Sequence, residues 1–489
     1  MNKIYLVFPD SPGTIAPEIY GHFSEHIGGV FYDGLWVGKD SDIPNVNGFR
    51  KALIDDFKKT APPVLRWPGG CFAETYDWRD GIGEDRPIRR NWWTPNDGRL
   101  ESNEVGTHEF CDLCESLGTK AYFAANVTST TPMDIRDWVD YCLSPRGTTT
   151  LAKLREKNGH PEPFNIPYWG VGNENWGGGG SMTPETYANI FKRYATVMRN
   201  AAPDIKLFAC GPDSTNYAWT RQLCEELENS RGYMDSQHLL DGVSMHYYCG
   251  TTDGSPTDFN EDQWYEMFYK ANWMEKVLCR HYAILQAYNR EDAKLVIDEW
   301  GCWHKDGSGP SKGYNLFEQQ STMRDAMVSA LTLNIFNNHC DKIQMANCAQ
   351  LVNNLHCLFL AGGEKYTVTP TYHVFDMYKG HQGATAIRAV TDGMDGLDGL
   401  TMSASVKDGK VLVTIGNLSY KEDRQISLVP VGKTFSGAAS AKLLAHENLC
   451  AHNTFDAPET VKPVNVKIPA DGVITIPKGG ILAVQAEVI

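Results

Sequence analysis

Residues 166–180 read Ile-Pro-Tyr-Trp-Gly-Val-Gly-Asn-Glu-Asn-Trp-Gly-Gly-Gly-Gly. The first part of this stretch is a short apolar run, which is typical of a buried strand. The run ends on the polar pair Asn173 and Glu174, and four glycines follow Trp176. Thr183-Pro184 then provides the N-cap and first-turn signals of a helix. The stretch therefore predicts a strand, a polar strand end and a helix in succession, which is the repeating unit of a parallel α/β fold.

The same unit recurs along most of the chain. Short β-branched or aromatic runs alternate with longer stretches, such as 261–290 and 318–337, whose apolar residues have helical spacing. The eight predicted strands are Glu18–Phe23, Val64–Trp67, Ala121–Asn126, Pro167–Asn173, Ile205–Cys210, Gly242–Tyr247, Leu295–Glu299 and Ile343–Cys348. Eight repeats predict a (β/α)8 TIM barrel. A doubly wound sheet is disfavoured because no Gly-rich phosphate loop follows the first strand.

The sequence changes character after about residue 385. Leu400–Val406 and Val411–Ile415 flank Lys-Asp-Gly at 407–409, which predicts a β-hairpin with a tight turn. Further strands are predicted at Gln425–Pro430, Ala441–Ala445, Val473–Pro477 and Ile481–Ile489, with no long helical pattern between them. We therefore predict a catalytic barrel over residues 15–384 and an all-β, jelly-roll-like sandwich over 385–489. Residues 1–14, which contain a strand at Lys3–Phe8, are assigned to the sandwich.

Composition and charge exclude several classes of partner. The formal net charge is −15, and neither nucleic acid nor an anionic membrane surface attracts such a protein. The apolar run before Pro9 has only five residues, too few for the core of a signal peptide, so we expect no membrane association and a cytoplasmic location. The odd total of 13 cysteines fits a reducing compartment. Cys111 and Cys114 lie in an amphipathic helix pattern and are interpreted as buried structural residues.

Polar side chains follow nearly every predicted barrel strand, where barrel enzymes carry their chemistry. Two carboxylates stand out among them, Glu174 at the end of strand 4 and Glu299 at the end of strand 7, and these two strands face each other in a closed eight-stranded barrel. Glycoside hydrolysis needs such a pair, one acid to protonate the leaving oxygen and one carboxylate to attack or to activate water. The residues alone leave open which glutamate has which role.

The chain resembles glycoside hydrolase family 51, the α-L-arabinofuranosidases, over nearly its whole length. The resemblance rests on 21–26 (Gly-His-Phe-Ser-Glu-His), 66–73 (Arg-Trp-Pro-Gly-Gly-Cys-Phe-Ala), 103–110 (Asn-Glu-Val-Gly-Thr-His-Glu-Phe), 172–177 (Gly-Asn-Glu-Asn-Trp-Gly), 298–300 (Asp-Glu-Trp) and 349–353 (Ala-Gln-Leu-Val-Asn). It implies that Glu174 is the general acid/base and Glu299 the nucleophile of a retaining enzyme. It further implies that Asn173 holds the sugar 2-hydroxyl, that Glu25 and Gln350 bind other hydroxyls, and that Tyr248 orients Glu299.

The expected function is metal-independent, cofactor-free release of terminal α-L-arabinofuranose from arabinoxylan or arabinan oligosaccharides. Glu25, Cys71 and Gln350 are expected to close one end of the sugar-binding pocket. His246 is a further polar residue at the end of a predicted barrel strand. Trp93 and Trp303 are candidate sugar-stacking residues. Two alternatives remain: a related retaining hydrolase of β-D-xylosides or β-glucans, and a non-catalytic sugar-binding barrel. A homo-oligomer is expected from the resemblance alone.

A zinc-peptidase interpretation is set aside. His22-Phe-Ser-Glu-His26 fits the H-x-x-E-H pattern, which needs a helix so that both histidines share a face. Gly21 follows a predicted strand here and Gly28-Gly29 follow the motif. A helix is therefore not expected at this position.

Overall fold

A computed structural model describes residues 2–228, 239–250, 255–305, 307–394, 396–437 and 439–489. Eight strands close into a barrel in which each strand pairs with the next along the chain and the last pairs with the first. They are β1 (Gly21–Phe23), β2 (Val64–Trp67), β3 (Lys120–Ala125), β4 (Tyr168–Val171), β5 (Lys206–Ala209), β6 (Gly242–Cys249), β7 (Leu295–Cys302) and β8 (Ile343–Ala349). The predicted barrel is thereby confirmed.

The first barrel strand is shorter than predicted. Residues Pro17–Tyr20 form a 3-10 turn, in which Ile19 N donates to Ala16 O at 3.1 Å, and β1 begins only at Gly21. Pro17 has no N–H to give to a ladder, and its fixed φ suits the start of a helical turn. Strands β6 and β7, by contrast, continue beyond their predicted ends at Tyr247 and Glu299.

Helices lie between the barrel strands and begin at the expected caps. Thr183, the predicted N-cap, accepts a bond from the backbone N–H three residues on, and Thr131 caps the helix Pro132–Leu143 in the same way. The helix predicted from residue 318 begins at Met323 because Thr322 and Asp325 form a capping box there. The main helices are Lys51–Lys59, Thr107–Leu117, Pro132–Leu143, Thr150–Lys157, Pro184–Ala201, Tyr217–Glu228, Glu261–Ala287, Met323–Asn338 and Pro370–Tyr378.

Cys111 and Cys114 lie on the helix Thr107–Leu117, which ends at Gly118 in the left-handed conformation. Their exposed fractions are 8% and 4%, and burial raises the pKa of both thiols. The structural interpretation of this pair is confirmed. All thirteen cysteines carry free thiols. None of the helices in the described ranges combines the length and apolarity that a bilayer crossing requires.

The C-terminal part of the chain is β-rich, as predicted. Ten strands form one sheet: Asn2–Val7, Gly13–Thr14, Thr385–Thr391, Leu400–Lys407, Lys410–Asn417, Arg424–Val431, Ser440–Leu444, Val464–Val466, Ile474–Ile476 and Ile481–Glu487. The predicted hairpin is present, and Asp408 and Gly409 at its turn both have positive φ, as a two-residue type I′ turn requires. Thr385–Thr391 and Val464–Val466 are strands that the sequence did not predict.

The strand Asn2–Val7 lies inside this sheet. It pairs antiparallel with Thr385–Thr391 on one side and parallel with Arg424–Val431 on the other. Ile4 and Leu6 are fully buried and share a hydrophobic core with residues such as Val413 and Leu482. The alternating burial of this strand, with Tyr5 and Val7 less covered, is the period of a strand that has one face on a core.

The chain divides into two compact units. One comprises residues 21–247 and 277–299, and the other comprises 1–20, 248–276 and 300–489. The predicted site residues divide accordingly: Glu25, Cys71, Trp93, Asn173, Glu174, His246 and Glu299 belong to the first unit, and Tyr248, Trp303 and Gln350 to the second. The predicted domain limits at 14/15 and 384/385 stay a prediction.

Candidate active site

The two predicted catalytic carboxylates lie close together in the first unit. One oxygen of Glu174, one oxygen of Glu299 and a ring nitrogen of His246 all lie within 4.8 Å of one another. His246 Nδ1 is 2.8 Å from Glu174 Oε1 and 3.5 Å from Glu299 Oε2. Burial lowers the pKa of His246, but the negative charges of Glu299 and Glu174 more than offset this, so the pKa is raised. The imidazole thus bridges the two acids.

The buried guanidinium of Arg66, at the end of β2, organises the other side of the pair. Its Nη1 donates to Glu299 Oε1 at 2.8 Å and its Nη2 donates to Asn173 Oδ1 at 2.7 Å. Burial disfavours the charged form of Arg66, yet the carboxylates of Asp298 and Glu299 raise its pKa above the usual range. A guanidinium has no acceptor, so the Asn173 amide must turn its oxygen to Arg66 and its Nδ2 away. Asn173 Nδ2 is buried and has no hydrogen-bond partner among the described residues.

Glu174 occupies a strained backbone position. Its φ is +43°, in the left-handed region, and Gly172 before it has φ +92°. A side-chain-bearing residue costs about 1–2 kcal/mol in this conformation, so surrounding bonds must hold it. Glu174 O accepts from Gly177 N at 2.7 Å and from Gly179 N at 3.0 Å. The carboxylate therefore leaves the strand end in a fixed direction.

The glycines near the acids leave room for them. A Cβ on Gly70 would lie 2.8 Å from Glu299 Oε1, and one on Gly69 would lie 2.6 Å from Glu25 Cγ. A Cβ on Gly178 would lie 3.0 Å from the sulfur of Cys71, beside Glu174. Side chains at these positions would displace the carboxylates or fill the space around them, which gives Gly69, Gly70 and Gly178 a steric reason.

Glu25 is also part of this cluster. Its Oε1 accepts from Phe72 N at 2.9 Å and from Trp93 Nε1 at 3.1 Å. Burial, together with the negative charge of Glu299, raises the pKa of Glu25 to about 7. The indole N–H of Trp93 is thus committed to Glu25, and the half-buried ring is held beside the acids rather than packed in the core. Its role as a sugar-stacking residue stays a prediction.

The raised pKa of Glu25 predicts a pH-dependent cost in stability. The carboxyl group binds its proton more tightly when folded than when unfolded, so stability falls as the pH rises from about 4.5 to about 7. By pH 8, this titration has lowered the free energy of unfolding by about 3 kcal/mol. Glu25→Gln removes it, so the variant should exceed the wild type in free energy of unfolding by about that amount at pH 8.

The two proteins should be nearly equal at pH 4.5, where Glu25 is mostly protonated in the folded state. Urea denaturation of both proteins at pH 4.5 and pH 8 measures the difference. Equal stability differences at the two pH values would contradict a buried carboxyl group with a raised pKa at this position.

Cys71 lies at the start of the 3-10 helix Cys71–Thr75, directly after the Gly69-Gly70 turn. Its thiol donates a long bond to Glu174 Oε2 at 3.8 Å. Burial and the neighbouring Glu25 and Glu174 charges raise its pKa, so the group is a neutral thiol beside the acid. The structure therefore brings Cys71 to the carboxylate cluster, as expected.

The remaining predicted residues lie in the second unit. The rings of Tyr248 and Trp303 meet edge to face at 5.2 Å, and Trp303 also contacts Phe317 at 5.0 Å. Gln350 is 2% exposed, follows β8, and its N–H donates to Asn354 O at 3.1 Å. Tyr248 and Trp303 thus form one aromatic group. The expected contacts of Tyr248 with Glu299 and of Gln350 with sugar stay predictions.

The two histidines of the H-x-x-E-H pattern have separate surroundings. His22, on β1, packs edge to face against Phe57 at 5.0 Å. His26 accepts from Trp67 Nε1 at 2.9 Å, which leaves its Nδ1 to donate to Glu101 Oε2 at 3.2 Å. The motif therefore continues past the end of β1, where His22 packs in the core and His26 is hydrogen-bonded to a buried carboxylate.

A second cluster of metal-binding residue types lies in the second unit. Cys302, His304 and Asp325 offer ligand atoms within 4.8 Å of one another. Asp325 is already committed, because its Oδ1 accepts from His304 Nε2 at 2.6 Å and its Oδ2 accepts from Thr322 N at 2.7 Å. This cluster acts as a buried helix cap.

Two residues of the site were missed from the sequence, Arg66 and Glu74. Arg66 was noted only as a polar strand end, and its partners Asn173 and Glu299 are 107 and 233 residues away. Glu74 lies in the 3-10 helix Cys71–Thr75, fully buried, and accepts from Asn173 N at 2.7 Å. A charged residue in an apolar segment after a barrel strand was the available signal for Glu74.

Comparison with known proteins gives the same assignment over the whole chain. The family model of the α-L-arabinofuranosidase 1 domain matches residues 56–262, and that of the α-L-arabinofuranosidase C-terminal domain matches residues 298–478. A curated intracellular exo-α-L-arabinofuranosidase of Bacteroides ovatus is 40% identical, and the match covers 96% of this chain and 94% of the relative.

Solved structures agree in fold and length. The family 51 arabinofuranosidase of Xanthomonas axonopodis pv. citri superimposes with a TM-score of 0.91 at 35% identity, over 100% of both chains. The α-L-arabinofuranosidase of Thermotoga maritima, solved as an arabinose complex, gives 0.86 at 25% identity, again over 100% of both chains. The chain is therefore a glycoside hydrolase and belongs to family 51, the α-L-arabinofuranosidases.

Proposed function

We propose that this protein is a retaining exo-α-L-arabinofuranosidase that releases terminal arabinofuranose from arabinoxylan or arabinan oligosaccharides. The observation that carries the proposal is the approach of the two carboxylates, which have an oxygen each within 4.8 Å of one another. Carboxyl groups of retaining enzymes lie about 5–5.5 Å apart, whereas inverting enzymes need about 6.5–9.5 Å to admit a water. The short separation supports direct attack by a carboxylate.

The surroundings of the two acids favour Glu299 as the nucleophile. Glu299 accepts a charge-assisted bond from Arg66, which stabilises the ionised carboxylate that a nucleophile needs. Glu174 has no guanidinium partner among the described contacts, and its side chain is 22% exposed against 9% for Glu299. The more open acid is better placed to reach the oxygen of a departing sugar and, later, a water molecule.

The proposed reaction has two displacements. In the first, the Glu299 carboxylate attacks the anomeric carbon while Glu174 gives its proton to the glycosidic oxygen, and the aglycone leaves as an alcohol. In the second, Glu174 takes a proton from a water molecule that attacks the anomeric carbon, and the glycosyl–Glu299 ester breaks. Both carboxyl groups return to their starting states, and two inversions give retention of configuration.

Asn173 is proposed to hold the 2-hydroxyl of the arabinofuranose ring. Arg66 fixes the amide so that the unpartnered Nδ2 donor is available to a hydroxyl group beside Glu299. A bond at this hydroxyl strengthens as positive charge develops at the anomeric carbon. Glu25 and Cys71 are proposed to line the pocket around these acids. Gln350, Tyr248 and Trp303 are each proposed as substrate-binding residues, as the resemblance to the family implies.

Hydrolysis of three aryl glycosides tests the proposal. The 4-nitrophenyl α-L-arabinofuranoside is expected to be cleaved far faster than the corresponding β-D-xyloside and β-D-glucoside. Proton NMR of the first minutes of reaction should show the α-anomer of arabinose, because the configuration is retained. A preference for either β-glycoside would favour the alternative hydrolase, β-arabinose would exclude retention, and binding without turnover would favour a sugar-binding barrel.

Location and assembly are further parts of the proposal. A cytoplasmic site of action is supported by the word intracellular in the name of the Bacteroides ovatus relative and by thirteen free cysteines. The homo-oligomer is an expectation from the resemblance to the family. Light scattering on the purified protein measures the assembly state directly.

A further inference from the structure

Glu74 carries a buried carboxylate that the proposed reaction does not use. The residue lies in the 3-10 helix Cys71–Thr75 after β2, and its exposed fraction is 0%. Its Oε1 accepts from Asn173 N at 2.7 Å and from Asn175 Nδ2 at 3.0 Å. Its Oε2 accepts from Val127 N and Thr128 N, both at 2.9 Å. Two bonds to each oxygen saturate the acceptor capacity of a carboxylate.

The four donors come from the ends of two neighbouring barrel strands. Val127 and Thr128 follow β3, and Asn173 and Asn175 follow β4, on either side of Glu174. All four are uncharged N–H groups, so the buried charge is stabilised by hydrogen bonds that are stronger than those between neutral partners. A single side chain from the 3-10 helix after β2 thereby connects the ends of β3 and β4.

The residue between the two tethered asparagines is the strained one. Glu174 has φ +43°, and its peptide neighbours on both sides are held by Glu74 through Asn173 N and the Asn175 side chain. Asn175 Nδ2 also donates to Gly179 O at 2.7 Å, and Met182 N donates to Asn175 O at 2.6 Å. Without the carboxylate, Asn173 N and Asn175 Nδ2 lose a common acceptor, and Glu174 is held only by the bonds within the turn itself, such as those from Gly177 N and Gly179 N to Glu174 O.

We propose that Glu74 is a positioning residue, whose carboxylate holds the 173–175 backbone so that the Glu174 side chain reaches the glycosidic oxygen. The proposal rests on the assignment of Glu174 as the general acid/base. Glu74 itself lies behind the backbone of the catalytic turn and donates no proton to substrate. Its loss should therefore impair proton transfer by Glu174 more than attack by Glu299.

The test is Glu74→Gln, measured with two arabinofuranosides that differ only in leaving group. Glutamine keeps the size of the side chain but turns an NH2 donor toward N–H donors that need an acceptor. We expect kcat/KM for methyl α-L-arabinofuranoside to fall about 100-fold, because its alkoxide cannot leave without a proton. We expect less than about a 5-fold fall for the 2,4-dinitrophenyl substrate, whose phenolate leaves unaided.

Asp241→Asn is the matched control. Asp241 is a half-buried carboxylate that accepts from Leu207 N at 2.9 Å, but it precedes β6 and so lies at the opposite end of the barrel from the acids. Its loss should affect both substrates to the same extent. Equal losses on both substrates in Glu74→Gln, or no loss on either, would overturn the proposal.

Two further variants keep the test decisive. If Glu74→Gln does not fold by circular dichroism, Asn175→Ala removes the Nδ2 donor to Glu74 together with its bond to Gly179 O. A smaller difference between the two substrates, in the same direction, is then expected. Equal losses there overturn the proposal as well. Glu174→Ala, assayed in parallel, distinguishes a failure of the acid/base assignment of Glu174 from a failure of the positioning role of Glu74. If it lacks the leaving-group split, the acid/base assignment fails, and if it alone shows the split, only the positioning role of Glu74 fails.

Discussion

Replacement of Glu299 by glycine is expected to lower kcat for 4-nitrophenyl α-L-arabinofuranoside by about 10⁵-fold, a loss typical of removing a catalytic nucleophile. The variant has no carboxylate at position 299 to attack the anomeric carbon, and Arg66 and His246, which bind the charge of Glu299, do not supply one. The release of 4-nitrophenol measures the effect. Arg66 loses a partner in this variant, so its folded state should be verified by thermal denaturation.

Azide provides the internal control for this variant. A small anion fits the space vacated by the side chain beside the Arg66 guanidinium and attacks from the face that Glu299 used. The expected product is β-L-arabinofuranosyl azide, with configuration inverted relative to the substrate. Undiminished hydrolysis by Glu299→Gly would refute the nucleophile assignment, and an α-azide would show that attack had come from the other side.

Glu174→Ala is expected to reveal the proton donor. Its kcat/KM should fall about 10³-fold for methyl α-L-arabinofuranoside, which needs protonation of its leaving oxygen, and only a few-fold for the 2,4-dinitrophenyl substrate. With the activated substrate, hydrolysis of the glycosyl–Glu299 ester becomes slow, because no base remains to activate water. A burst of dinitrophenol in stopped-flow measurements should precede the steady state.

Azide also tests the role of Glu174, because the product expected from Glu174→Ala is the anomer opposite to that from Glu299→Gly. The anion needs no general base, so it should raise the steady-state rate of Glu174→Ala and give α-L-arabinofuranosyl azide, in which the configuration is retained. The two glutamate variants therefore yield opposite anomers from one substrate. The same azide anomer from both variants would contradict the assigned roles. So would a fall in kcat/KM of Glu174→Ala that is equal for the methyl and the 2,4-dinitrophenyl substrates.

The ends of the barrel strands were the most predictable part of this molecule. Val64–Trp67 was predicted to the residue, and Asn173-Glu174 and Asp298-Glu299 were recognised because apolar runs stop at charged or amide side chains. A buried strand is short and hydrophobic, so its end is visible in the sequence wherever the chain must place a polar group there. The two acids were found for this reason.

The hydrogen bonds that orient Glu174 and Glu299 were not predictable from the sequence. Glu74 reaches Asn173 across 99 residues, and Arg66 reaches Glu299 across 233. No periodicity links residues so far apart, since their contact depends on barrel closure rather than on local pattern. The positive φ of Glu174 was hidden as well, because glutamate carries none of the preference for that conformation that marks glycine or asparagine.

Strand limits were missed where side-chain polarity and backbone pairing disagree. The strand Leu295–Cys302 continues through Asp298 and Glu299, although the sequence suggested an end at Glu299. Backbone N–H and C=O groups pair with a neighbouring strand regardless of side-chain charge, and all eight residues of this strand are buried. Thr385–Thr391 was missed for a related reason, since much of it is exposed and its pattern is weak.

The place of Asn2–Val7 in the C-terminal sheet sets an order of events during biosynthesis. Its two partners, Thr385–Thr391 and Arg424–Val431, are synthesised about 380 residues or more after it. At about 5–20 residues per second, a ribosome needs roughly 20–75 s to cover that distance. Throughout this interval Ile4 and Leu6 lack the core that later buries them, and the strand presents open edges to other nascent chains. The β domain is therefore the last part of the protein to become complete, and chaperone capture of the first residues should be greatest while the barrel is being translated.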